Sequence, residues 1–167
     1  PHYNLDPRRM RTAARNVCAL LERLDPPRTK DYRARLAAWE KELDRHLVVW
    51  KRKLAPFRGA QFLEYHNAWV YFADAFELKV AGQLEPAPGL APTPTHLAKM
   101  IDLAKRERIG LIVARPQRAD LARRVARDAG AEVALLQLGS SSEGSAKGWF
   151  AFMTRTVDAF AARLRKP

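Results

Sequence analysis

The sequence predicts an α/β protein: a long linker helix followed by a three-layer αβα lobe around a four-stranded parallel sheet. Three observations carry this. The first third of the chain holds two long amphipathic helical patterns, and everything after Gly59 alternates short apolar runs with helical segments. The apolar runs, such as Gly110-Leu-Ile-Val-Ala114 and Val133-Ala-Leu-Leu136, are continuous, as in parallel strands covered on both faces.

Taken in order, Asp6 as N-cap, Pro7 at the first helical position and Met10, Ala14, Val17, Leu21 and Leu24 at three- and four-residue steps predict a helix over 7–24. Asp25-Pro26-Pro27 stops it. From Thr29 to Leu54, Tyr32, Leu36, Trp39, Leu43, Leu47, Trp50 and Leu54 form a single apolar stripe. A helix of that length, at about 1.5 Å per residue, is roughly 40 Å long, enough to run the length of a domain as a strut. Pro56 and Gly59 end it. The remainder predicts strand 60–66, helix 67–76, strand 78–83, a proline-rich turn over 85–94, helix 95–108, strand 110–115, helix 119–129, strand 132–138, a Gly/Ser loop and helix 147–165. Successive βα units imply right-handed crossovers. Ligands of such sheets bind outside the carboxyl ends of the strands, where His66, Glu85, Arg115 and the loop after Leu138 all fall.

At 167 residues, with 47% hydrophobic and 29% charged, the chain has the composition of an ordinary globular protein. Cys18 is the sole cysteine, so no disulfide forms within the chain, and its place on an amphipathic pattern makes it a small buried apolar residue. No run approaches the roughly 18 to 20 apolar residues of a membrane span, and the start at Pro1-His2 is not a signal peptide. The net charge of +12 raises nucleic acid or an anionic surface as a partner. Yet residues 1–58 hold 15 Lys and Arg against 7 Asp and Glu, and residues 59–167 hold 15 against 11, so the excess sits mostly on the two leading helices as solvated faces. No zinc knuckle, ribonucleoprotein aromatic motif or Gly-X-X-Gly clamp accompanies it. The loop Gly139 to Gly148 lacks the phosphate-binding spacings and reads as a connection. No Ser/His/Asp, Cys/His or paired-carboxylate arrangement can be assembled, so an enzyme is not expected.

What the chain does offer is histidine in polar settings. His66 closes an apolar strand, and His2 stands in Pro1-His2-Tyr3-Asn4-Leu5-Asp6-Pro7. Neutral imidazole is the commonest protein ligand for zinc. His46, beside the stripe of the long helix, and His96, after Pro94, read as structural, and Trp69, Tyr71 and Phe72 as core and cleft wall.

These motifs resemble those of the periplasmic solute-binding proteins of zinc and manganese ABC importers. The likeness rests on Pro1-His2-Tyr3-Asn4-Leu5-Asp6-Pro7, similar to Pro-His-x-Trp-Leu-Asp-Pro, and on Glu64-Tyr65-His66-Asn67-Ala68-Trp69, similar to Tyr-His-Asp-Ala-Trp. It continues through Leu84-Glu85-Pro86, Pro92-Thr93-Pro94-Thr95-His96-Leu97 and Ala114-Arg115-Pro116-Gln117, similar to Ala-Glu-Pro-Gln, in family order over nearly the whole chain. The resemblance implies two α/β lobes joined by a rigid helix with the metal between them. Residues 1–28 would then be a remnant of the N-terminal lobe, 29–58 the linker helix and 59–167 the C-terminal lobe, with most of the partner lobe and its ligand outside this sequence. It implies Zn2+ or Mn2+ as cargo, an ABC permease as partner, a periplasmic location whose signal peptide is not in this sequence, and a monomer without nucleic acid or a membrane span. His2 and His66 match the family's histidine ligands. The acid of Ala-Glu-Pro-Gln is replaced by Arg115, and the late Asp-Leu-Gly by Leu136-Gln137-Leu138-Gly139, so a missing oxygen would come from Glu85, or else Glu64. Two other classes stay open: a receptor-like protein that holds a different, anionic solute with Arg115 and the serine loop, and a basic nucleic-acid-binding module.

Overall fold

The computed structural model describes residues 2–139 and 146–166. A short 3-10 turn, Tyr3–Leu5, leads into α1 (Pro7–Leu24), whose first turn is closed by Asp6 accepting from the Arg8 N–H. A 3-10 turn at Pro26–Arg28 reverses the chain into α2 (Thr29–Leu54). There follow β1 (Gln61–Glu64), α3 (Val70–Ala75), β2 (Lys79–Gln83), α4 (Pro94–Arg106), β3 (Leu111–Ala114), α5 (Ala119–Ala129), β4 (Glu132–Leu135) and α6 (Ala146–Ala161). Among the described residues no helix is long and apolar enough to cross a membrane.

The four strands form one parallel sheet in the order β2-β1-β3-β4, with Leu63 beside Ile112 and Ile112 beside Val133. Side chains alternate across the sheet. Phe62, Leu111 and Val113 enter a core with Phe72 and Trp69 of the α3 region, Met153, Val157 and Phe160 of α6, and Leu43, Trp50 and Leu54 of α2. Leu63, Ile112 and Ala114 enter a second core on the opposite face, built from Ala104 of α4 and Ala122, Val125 and Ala126 of α5. The expected three layers are therefore present, and α2 is stitched to the outer one: Trp50 is fully buried and its Nε1 donates to Thr154 Oγ1 at 3.1 Å.

α5 ends at Gly130, whose φ of +68° lets the Ala131 N–H fold back onto the Ala126 carbonyl, a stop that a Cβ would strain. Several elements are shorter than the periodicity predicts, β1 and α6 among them, which stop at Glu64 and Ala161 instead of 66 and 165, and for two others the structure shows the cause. The helix expected over 67–76 begins only at Val70, because the Glu64 carboxylate takes the Ala68 and Trp69 N–H groups and holds 65–69 as a loop. The strand expected over 132–138 stops at Leu135, since beyond the Leu136 N–H bond to Ala114 there is no neighbouring strand to pair with, and Leu138 instead accepts from Asn4 Nδ2.

Candidate metal centre

All four strands end on the same side, and the chain builds its polar recess there. Two backbone bonds extend the ladder past the strands: Tyr65 N–H donates to the Val113 carbonyl and Glu85 N–H to the Tyr65 carbonyl, each at 2.8 Å. This alignment sets the residues after β1 and β2 side by side. His66 and Glu85 meet as a result, His66 Nδ1–H donating to Glu85 Oε2 in a close contact. The other carboxylate oxygen accepts from the Gly89 N–H at 3.0 Å. Burial by itself would push the Glu85 carboxyl up, but the bonds from His66 and Gly89, together with the Arg118 guanidinium, hold it below the usual carboxylate range. With Nδ1 as the donor, the lone pair of His66 is left on Nε2. The side chain is one third exposed and lines the recess.

His2 comes from the far end of the sequence and is brought here by four anchors. Leu5 is fully buried; Asp6, 1% exposed, is clamped by Arg8 through Nε at 3.0 Å and Nη2 at 2.9 Å, and Arg8 reaches on to Asp74 of α3. Asn4 Nδ2 donates to the Leu138 carbonyl at 2.8 Å and accepts, through its own carbonyl, from Trp149 Nε1 at 2.9 Å. The His2 ring then lies edge-on to that of His66, 6.0 Å between centroids and at 79°. An imidazole bound at about 2.0–2.1 Å puts its centroid roughly 3 Å from the ion, so two rings on one cation lie about 5–6 Å apart. Burial, then the neighbouring His66 and Arg115, keep the His2 pKa below its ordinary value, which favours the neutral ring a metal requires.

The recess has a volume of about 280 Å³ and is lined by Tyr65, His66, Glu85, Arg115, Gln117 and Arg118. Arg118 stacks over the Tyr65 ring at 5.6 Å, a contact that nothing in the sequence announced. Among the described residues no three His, Cys, Asp or Glu side chains gather closely enough to hold an ion by themselves. Glu64 does not serve as a spare oxygen. It is fully buried, Oε2 is taken by two N–H groups, and burial pushes its carboxyl up. Its Oε1 makes no bond of ordinary geometry among the described residues, although the Gln83 side chain is near enough to favour the ionised form. His46 stacks on Phe150 at 4.7 Å and His96 Nε2 donates to the Gln83 carbonyl at 2.8 Å, so both are tied into the packing. Cys18 is buried, its thiol donating to Glu22. The serine loop, 140–145, lies outside the described residues.

The parallel sheet with a long helix along its outer layer is a fold shared with solved solute-binding proteins. The family model described as "ZnuA: Zinc-uptake complex component A periplasmic" matches residues 1–163, and the chain belongs to that family. High-affinity zinc uptake system proteins ZnuA from Brucella abortus (strain 2308) and Brucella suis biovar 1 (strain 1330) are each 26% identical over 116 residues, 70% of this chain and 35% of theirs. Among solved structures, a crystal structure of ZnuA superposes with a TM-score of 0.84 at 27% identity, over 98% of this chain and 61% of that one. The solute-binding protein FpvC from Pseudomonas aeruginosa in complex with Mn2+ superposes with a TM-score of 0.81 at 26% identity, covering 97% and 62%. The chain thus spans about three fifths of the solved relatives' length and, in the aligned stretch, about one third of the curated ones.

Proposed function

We propose that this chain is part of a periplasmic receptor that captures a transition metal and delivers it to the permease of an ABC importer, without catalysing a reaction. The observation that carries the reading is the edge-on approach of His2 and His66, two residues 64 positions apart whose rings sit at a spacing suited to one cation. Zn2+ is the preferred cargo over Mn2+, because imidazole suits zinc whereas manganese favours oxygen donors. The names of the Brucella relatives support zinc, and the manganese complex of FpvC shows that a protein of this fold takes another metal.

In this reading His2 and His66 Nε2 bind the ion. Glu85, the oxygen donor expected from the sequence, orients His66 in this reading, holding Nδ1 through one oxygen and the Gly89 N–H through the other. Residues 1–28 belong with an N-terminal lobe, 29–58 form the linker and 59–167 the second lobe, and the further donors come from outside this chain or from the solute. Calorimetric titration of the full-length protein tests it: His66→Ala lowers zinc affinity at least tenfold, and affinity weakens below about pH 6 as imidazoles protonate. A His66→Ala titration identical to that of the parent would remove the ligand assignment.

Nucleic acid is not part of this reading. Ion pairs between the basic helices, Arg15 with Glu40, Arg33 with Glu22 and Arg11 with Asp44, take up part of their charge.

A further inference from the structure

Glu64 is a charged residue where the alternation of β1 calls for an apolar one. It shares a face of the sheet with Phe62, against the core that holds Trp69 and Phe72, and it is fully buried. A carboxylate in such a place is costly unless hydrogen bonds compensate it. Here they come from one short stretch of chain: Oε2 accepts from the Ala68 N–H at 3.0 Å and from the Trp69 N–H at 2.9 Å. Both donors belong to residues only 2% exposed, and a buried backbone N–H needs a partner.

These two bonds fix the path of the chain at His66. Tyr65 is tied to its neighbours in the sheet, its N–H donating to Val113 and its carbonyl accepting from Glu85. Ala68 is the next residue whose backbone is held among the described residues, and Glu64 holds it. His66 and Asn67 bridge those two anchors. A two-residue bridge fixed at both ends has little freedom in the direction its side chains leave, so the carboxylate behind it decides where the His66 ring starts, and Glu85 decides how the ring is turned. We propose that Glu64 is a positioning residue of the metal centre: it never touches the ion, and its side-chain oxygen sets the backbone from which His66 enters the recess. The role needs an acceptor at the right reach, not a charge. The Gln83 side chain lies beside Glu64 from the paired position on β2, so an amide at 64 turns its NH2 toward Gln83 and keeps its oxygen on the two N–H groups. This inference rests on His66 being a metal donor.

Two substitutions separate reach from charge. Glu64→Asp keeps the charge and draws the acceptor back by one methylene, whereas Glu64→Gln keeps the reach and removes the charge. In the metal-free chain, proton–nitrogen correlation spectra of the imidazoles, taken above the ordinary histidine pKa of about 6.5, read the His66 tautomer directly. The Gln variant keeps the Nδ1–H form of His66 and the Asp variant loses it to a mixture of tautomers, while the signals of His46, stacked on Phe150, match the parent in both. In the full-length protein Glu64→Asp lowers zinc affinity at least about tenfold, as loss of a residue that orients a ligand typically does, and Glu64→Gln stays within about threefold of the parent. An Asp variant with the parent's spectrum and affinity overturns the proposal, as does a Gln variant that loses as much as Asp. His46 signals that move together with those of His66 overturn it too, since Glu64 would then be holding the core and not the ligand. A full-length parent that binds no zinc overturns the receptor reading, and with it the metal role of Glu64, whereas the spectra still judge its placement of His66.

Discussion

At the scale of single residues, the pair that decides the site is His66 with Glu85. A carboxylate on Nδ1 fixes the tautomer and aims Nε2 outward, and losing such a partner typically costs 10- to 100-fold in metal affinity. Glu85→Gln is therefore expected to weaken zinc binding within that range. Zinc-edge absorption spectra should meanwhile show no loss of an oxygen ligand, because the carboxylate touches the imidazole and not the ion. A spectrum that loses one oxygen would make Glu85 a ligand after all. That residues 2, 66 and 85 come together was foreshadowed in the sequence, less by the imidazoles themselves, since a lone histidine is by default structural as His46 and His96 are, than by the motifs around them. The part played by each carboxylate was not. Whether Glu64 faces the recess or caps the 65–69 loop depends on which N–H groups the fold brings over it, and that is settled by the packing of Trp69 and Phe72.

Among the elements, α2 is uneven along its length. Its buried residues, Leu43, Trp50 and Leu54, all lie in the C-terminal half, where Trp50 and Leu54 join Phe160 in one core. The N-terminal half has no buried residue, although Trp39 packs on Trp149 and Phe150 of α6, and its exposed ion pairs with α1, such as Arg33 with Glu22 at 2.8 Å, contribute about 0–1 kcal/mol each. Native-state hydrogen exchange should follow: amides of 44–54 protected as strongly as those of β3, and amides of 33–40 exchanging measurably faster. Uniform protection along the helix would mean that something other than core burial holds its first half. Elements with a chemical start or stop were legible to the residue, as with Asp6-Pro7 opening α1 and the helix over 119–129 that closes at Gly130, whereas α4, expected from 95, opens one residue earlier at Pro94 under a Thr93 cap. Those ended by a tertiary event were not: apolar residues 136–138 look like strand until the sheet offers them no partner.

For the whole molecule, the question is whether capture moves anything. α2 is continuous, its C-terminal half is embedded in the same core as the sheet, and α1 lies along it in contact with α3 through Arg8 and Asp74. The segment carrying His2 is itself fixed by buried Leu5 and Asp6 and by bonds to Leu138 and Trp149. A hinge needs a few residues free to absorb a change in backbone angle, and none of these contacts leaves one between His2 and His66. Spin labels on the exposed positions 30, at the start of α2, and 99, on α4, should report the same distance distribution before and after zinc is added. A shift of many ångströms would show that the helix and the sheet do not move as one body, and the two imidazoles would then meet on the metal by closure and not by prior placement.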